Sequence, residues 1–184
     1  MFKKHKNLDD AYLYVCKTLS DIYLHCPTLK QLASECNHVT EMGSRYGVST
    51  IALMSGAPQH LIAYDIDERA IETLTKNIAP LAPEGTVFEA KLGDSCQIEI
   101  APTDMLFIDT FHVYAVLSAE LKRHHKNVSK YIICHDTTGF QDQGENGSTP
   151  GIRSAVIDFI KKDNPWSIKR EYRYNNGLMV LKRD

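Results

Sequence analysis

Five times along this chain a short run of apolar or β-branched residues ends at, or just before, an acidic side chain, and a turn or a helical pattern follows. The five acids are Glu41, Asp65, Asp94, Asp109 and Asp136. Such an alternation of strand and helix predicts an α/β chain: a doubly wound, Rossmann-like sheet, mostly parallel. In sheets of that kind, functional side chains collect in the crevice outside the carboxyl ends of the strands. The clearest single strand is Met105-Leu106-Phe107-Ile108, an unbroken apolar run of the type buried on both faces of a parallel sheet.

The remaining elements follow from period and punctuation. Leu8 to Leu24 reads as a helix on the spacing of Ala11, Val15, Leu19 and Ile22, and Pro27 opens a second. Strands are expected at His38-Val39-Thr40, Leu61 to Tyr64, Thr86 to Ala90 and Tyr131 to Cys134, with helices over Ser49–Ser55, Glu68–Ala79, Val113–Lys126 and Ile152–Ile160. Asn175-Asn176-Gly177 between Ile168–Tyr174 and Leu178–Leu181 signals a C-terminal antiparallel β-hairpin, with Trp166 and Tyr174 as core residues around it. A length of 184 residues suits one domain, with 1–37 as an N-terminal helical extension and 38–184 as the Rossmann-like core.

Composition excludes more than it assigns. A formal net charge of −2 and no basic stripe argue against a nucleic-acid partner; Lys3-Lys4-His5-Lys6 reads as a frayed terminus. Neither a membrane-spanning run nor a signal-peptide core is present. Five cysteines without Cys-x-x-Cys spacing argue against a disulfide framework or zinc site, and point to reduced thiols in a cytoplasmic protein. Self-association is left open.

The first strand leads into Glu41-Met42-Gly43-Ser44-Arg45-Tyr46-Gly47, whose glycines let the backbone turn tightly and approach a ligand. The G-x-G-x-x-G spacing that seats a dinucleotide pyrophosphate is missing. A carboxylate at Glu41 would repel phosphate and suits an ammonium or a sulfonium, so the loop favours S-adenosylmethionine over NAD. Asp65 is placed to accept from ribose hydroxyls, and Asp94 and Ser95 to meet the adenine edge. The expected cofactor-binding residues are Glu41, Gly43, Ser44, Arg45, Gly47, Ser49, Thr50, Asp65, Ile66, Asp94, Ser95 and Asp109.

With those residues in view, Val39 to Thr50, Ala63 to Asp67 and Leu106 to Asp109 resemble class I S-adenosylmethionine-dependent methyltransferases. Phe107 to His112 followed by Cys134-His135-Asp136 is similar to a narrower group, the metal-dependent small-molecule O-methyltransferases of the macrocin and cephalosporin-hydroxylase-like type. The resemblance spans about residues 38 to 182. It implies that carboxylates at neighbouring strand ends hold a magnesium ion, matched here by Asp109 and Asp136. His135 stands where many relatives carry an acid; an imidazole there suits manganese, iron or zinc better than magnesium, unless it serves only packing.

Asp109, His135 and Asp136 are therefore the expected ligands of a divalent metal, Mg or Mn, the competing reading being that each Asp caps a turn. Asp109 and His112 are the expected catalytic residues, with His112 as a neutral general base or else a loop residue. His124 and His125 would complement a helix dipole. The Gly- and Asn-rich stretch from Thr137 to Pro150 is either a lid or a surface loop, and Arg153 either meets an anionic acceptor or is merely exposed. The expected activity is O-methylation of a small-molecule acceptor, sugar or natural-product-like. A catalytically inactive S-adenosylmethionine-binding or regulatory protein is the alternative.

Overall fold

The structure, a computed structural model, describes residues 5–162 and 164–184; Lys3 and Lys4 of the basic start lie outside the described residues. Among the described residues seven strands form one sheet: β1 (His38–Met42), β2 (His60–Asp65), β3 (Val87–Leu92), β4 (Thr103–Ile108), β5 (Val128–His135), β6 (Trp166–Tyr172) and β7 (Leu178–Arg183). Their order is β3-β2-β1-β4-β5-β7-β6. The first five pair in parallel, and β7 runs antiparallel to both β5 and β6. The doubly wound sheet and its terminal hairpin are as the sequence predicts.

Side chains alternate across each strand, so the unbroken run in β4 feeds two cores. Met105 and Phe107 join one core with residues of α1 (Leu8–Lys17), α2 (Cys26–Ala33) and α3 (Val48–Met54). Leu106 and Ile108 join the other, with α5 (Tyr114–His124) and α6 (Ile152–Ile160). Between β2 and β3, α4 (Glu68–Thr73) continues through a π-turn at Leu74–Ile78, whose Leu74 and Ile78 pack in the first core. Fully buried side chains such as Leu53 and Leu121 each contribute about 1.5–3 kcal/mol relative to exposure. All five cysteines are free, and no described helix is long and apolar enough to cross a membrane.

Helix α1 starts where Asn7 accepts from the Asp10 amide at 2.9 Å, with Asp9 and Asp10 in its first turn and Lys17 in its last. It stops at Lys17, seven residues short of the expected end. Thr18 is extended, Ser20 accepts from the Ile22 amide, and Leu19 is 82% exposed, so its helical spacing was coincidental. The segment that follows becomes a strap across the strand ends. Asn175 in the hairpin turn holds it, donating to the Ser20 carbonyl and accepting from the Leu24 amide, both at 2.8 Å. His25, buried, reaches the Tyr174 and Asn175 carbonyls at 3.1 Å.

Three further expectations are corrected. Tyr174 is 49% exposed and stacks on His25 instead of filling the core, whereas Trp166 is buried as expected. His124 is no exposed dipole partner: it is buried, donates to the Ser95 carbonyl at 2.7 Å, and burial lowers its pKa, keeping it neutral. Arg153 is neither free nor aimed at a ligand, since its guanidinium pairs with Glu171 at 3.1 Å.

Replacing Asn175 with Ala removes both strap hydrogen bonds and leaves a Cβ residue at φ +47 without its polar compensation. Asn175→Ala is expected to lower unfolding free energy by about 2–3 kcal/mol in urea titration. An unchanged midpoint would mean that apolar contacts alone hold the strap.

Candidate functional site

The site begins where β1 ends. The Gly43 amide donates to the Tyr64 carbonyl and the Asp109 amide to the Met42 carbonyl, each at 2.9 Å, so the strand end is clamped between β2 and β4. Gly43 has φ +83, and a Cβ there would lie 2.0 Å from the Asp109 carbonyl oxygen. Gly47, at φ +82, caps α3, and a Cβ there would lie 2.0 Å from Ile78 Cδ1. Gly43 is thus required by close approach of backbone as well as by conformation, and Gly47 by its conformation.

A cavity of about 400 Å³ opens over this junction. Gly43, Arg45, Asp65, Ile66 and Asp109 line it, together with Asp94 and Ser95 beyond β3. A second cavity, of about 320 Å³, shares Gly43, Arg45 and Asp109 with the first, and adds Ser44 and Ser49 and the strap residues Ser20, Asp21 and Ile22. Asp65 accepts from the Arg45 amide at 2.7 Å and the Asp67 amide at 2.9 Å, which fixes the loop onto β2. At the mouth, Ile66 and Phe111 are 74% and 49% exposed, leaving an apolar rim over an acidic floor.

Glu41, Gly47 and Thr50 line neither cavity. Glu41 is fully buried behind the loop, where Thr50 Oγ1 donates to it at 2.6 Å. Burial pushes its carboxyl up to about 7, against the pull of the Ser49 and Thr50 hydroxyls. It joins β1 to α3 rather than facing the cavity. Sequence reasoning missed Tyr64, Cys96, Thr110, Phe111 and Val116 on the first cavity. Thr110 and Phe111 follow directly on a strand-end acid, and that position alone marks them. Nothing local marks the strap residues.

Beyond Asp109 lies a cluster of acids and histidines. Ile108 is in register with Cys134, so the next residues, Asp109 and His135, emerge side by side, and His135 Nδ1 meets Asp109 Oδ1 at 3.1 Å. Asp136 adopts φ +60, an uncommon conformation for a non-glycine residue. His112 Nε2 lies 2.9 Å from Asp136 Oδ2 and 3.2 Å from Asp109 Oδ1, while Nδ1 lies 3.0 Å from Glu145 Oε2. Its ring stacks on Phe140 at 4.8 Å, and the Glu145 amide donates to its carbonyl, so the 137–150 loop folds against it.

The electrostatics of this cluster bear on the roles expected of both histidines. Burial opposes charge on His112, but the hydrogen bonds and charges of Asp109 and Asp136 prevail and raise it to about 10. These neighbours favour the protonated imidazole, so service as a general base or as a metal ligand requires that proton to leave first. His135, buried, is likewise raised to about 9 by Asp109 against its desolvation. Asp109 itself is held well below the usual range, since His135 and His112 overcome the effect of burial.

Asp109, His112 and Asp136 each offer a ligand atom within 4.8 Å of the others. Asp136 Oδ1 is buried without a hydrogen-bond partner, and an oxygen of that kind fits a cation. The donor set suits a divalent ion, but it contains His112 in place of the expected His135. The outer nitrogen of His135 is engaged by the Asp21 carbonyl of the strap at 3.1 Å.

A carboxyl raised from 4.5 to about 7 is protonated in the fold at pH values where the unfolded chain has already lost the proton. Its contribution is whole below pH 4.5 and is lost as pH rises to 7. Urea unfolding should therefore show Glu41→Gln gaining about 3 kcal/mol on the native protein between pH 5 and pH 8. Equal differences at the two pH values would mean that ionisation of Glu41 is not the cause.

No family model and no curated protein matches the sequence. Solved structures do match its fold. An O-methyltransferase from Bacillus cereus, in complex with S-adenosylhomocysteine, aligns with a TM-score of 0.69 at 17% identity, over 100% of this chain and 93% of its own. An O-methyltransferase of tomaymycin synthesis from Streptomyces achromogenes, in complex with S-adenosylmethionine, gives 0.68 at 15% identity, covering 100% and 92%. Magnesium protoporphyrin IX methyltransferase from Synechocystis, with bound S-adenosylmethionine, gives 0.66 at 14%, covering 98% and 93%. At such identities the likeness is one of fold: this chain has the Rossmann-like fold of the class I methyltransferases.

Proposed function

We propose that this chain is an S-adenosylmethionine-dependent methyltransferase acting on a hydroxyl of a small molecule, sugar or natural-product-like, with assistance from a divalent metal, Mg or Mn. One observation carries the reading: Asp109 borders both cavities and also belongs to the acid–histidine cluster. A donor lying across the two cavities would present its reactive centre beside that cluster. The cofactor bound in the Bacillus and Streptomyces structures supports the choice of donor.

The residues fall into roles along that path. Asp65, Asp94 and Ser95 accept from a nucleoside, with Ile66 and Phe111 covering its faces. Ser44, Ser49 and Asp109 surround the amino-acid end in the second cavity, where Arg45 and Asp21 approach to 3.6 Å at the mouth. S-adenosylmethionine supplies an electrophilic methyl on its sulfonium, and a divalent ion lowers the pKa of an acceptor hydroxyl and orients it. Asp109, His112 and Asp136 would hold that ion once His112 has given up its proton, and the 137–150 loop, through Phe140 and Glu145, keeps His112 in place.

A second reading, S-adenosylmethionine binding without turnover, is favoured by one observation. His112 is tied to three carboxylates within the protein, Asp109, Asp136 and Glu145, which leaves it less free for an acceptor. An acceptor panel separates the two.

Calorimetry should find S-adenosylmethionine and S-adenosylhomocysteine bound and NAD not bound; tight binding of NAD alone would sink the proposal. Asp136 borders neither cavity. Asp136→Asn is therefore expected to keep S-adenosylhomocysteine affinity while losing metal and at least about 100-fold in kcat. Unchanged metal content and turnover in both Asp109→Asn and Asp136→Asn would remove the metal from the mechanism.

A further inference from the structure

One buried carboxyl has no part in the chemistry above. Glu120, in the middle of α5, has no exposed surface. Its Oε1 accepts two hydroxyl protons, from Ser95 Oγ at 2.5 Å and Thr110 Oγ1 at 2.6 Å. Its Oε2 is buried with no partner. One turn later His124, neutral, donates to the carbonyl oxygen of the same Ser95. Helix α5 therefore grips Ser95 by side chain and backbone, and Thr110 by its hydroxyl. Both residues line the larger cavity.

A hydroxyl has a single proton to give. With the protons of Ser95 and Thr110 directed at Glu120, these hydroxyls have only lone pairs left to offer a ligand. Asp94 offers only acceptors too, and its two oxygens are already engaged by the Cys96 amide and the Gln97 side chain. The polar wall at this end thus lacks side-chain donors among Asp94, Ser95 and Thr110, and a heterocycle resting there must bring its own.

We propose that Glu120 is a specificity-determining residue: by fixing Ser95 and Thr110 as hydrogen-bond acceptors, it makes the cavity select an amino-substituted purine nucleoside over its oxo-substituted counterpart. The inference rests on the nucleoside reading of the cavity given above and adds what that reading lacks, the polarity of the base edge. An amino group points hydrogens at the two lone pairs. A carbonyl oxygen at the same place faces them with lone pairs of its own, and sites built for one hydrogen-bond polarity reject the other strongly.

Calorimetry with the full chain tests this directly, using S-adenosylhomocysteine and its hypoxanthine counterpart, S-inosylhomocysteine. The native protein should prefer the amino form by at least about 30-fold. Glu120→Gln retains an acceptor oxygen and should keep most of that preference. Glu120→Met, similar in size but unable to accept, frees both hydroxyl protons and should bring the preference within about threefold. Thermal melts establish that each variant is folded. If Glu120→Met does not fold, Ser95→Ala with Thr110→Val makes the same test, because the lone pairs are then gone. Equal binding of the two nucleosides by the native protein would overturn the inference and leave the proposed function standing, as would native-like selectivity in folded Glu120→Met or in the double variant. Binding of neither nucleoside would overturn the proposed function itself, and this inference with it.

Discussion

The close approach of β1 and β4 at their carboxyl ends is what the rest of the site depends on. Met42 accepts from the Asp109 amide, and Gly43 lies so near the Asp109 carbonyl that a single methyl group would overlap it. This is the point at which strand order reverses, with β2 on one side of β1 and β4 on the other, and helices leave toward opposite faces. The crevice exists because the two chains diverge there. Asp109 is then set between two cavities by the backbone, before any side-chain choice enters. The register of β4 against β5 does the rest: pairing Ile108 with Cys134 makes it unavoidable that Asp109 and His135 meet.

Such a meeting concentrates charge, and the fold answers it locally. Asp109 stands beside Asp136 at a partly buried strand end, where burial alone would raise the pKa of Asp109. His112 and His135 prevent this, at the expense of their own freedom to lose a proton. His135 is held from behind by the strap carbonyl of Asp21, and the strap is held by Asn175 of the hairpin turn. Segments far apart in sequence, residues 20–25 and 174–177, are therefore joined to the cluster by a chain of hydrogen bonds.

The sheet, the strand-end acids and the 41–47 loop were legible in the sequence because each leaves a local signature. Apolar runs ending in an acid survive burial on both faces, and glycine marks close approach whatever lies opposite. What was not legible depends on distant partners. Leu19 fitted a helical period, yet Ser20 and Asn175 favour a strap there, and the helix ends early. Glu41 sits in the expected loop, but Thr50 turns its carboxyl inward, which no spacing argument reveals. The charge on His112 is set by Asp109 and Asp136 against burial, and Glu145, which meets its other nitrogen, comes from a loop that composition alone marks only as polar. Tyr174, aromatic and beside a hairpin turn, had every local reason to be core, and its partner His25 lies 149 residues away in sequence.

The chemistry of the cavity floor narrows what can lie on it. Asp65, Asp94 and Asp109 are joined there by Ser95 and Thr110, whose protons are already given to Glu120. A wall so rich in acceptors repels a pyrophosphate and favours a ligand that carries donors and positive charge, with hydroxyls, an amine, an ammonium or a sulfonium along its length. Under the proposed reading, S-adenosylmethionine has these groups and lacks the phosphates of a dinucleotide. The same helix that buries Leu117 and Leu121 in the core supplies Glu120 and His124 to this wall. Packing of α5 and the hydrogen bonds of this wall are thus not separable.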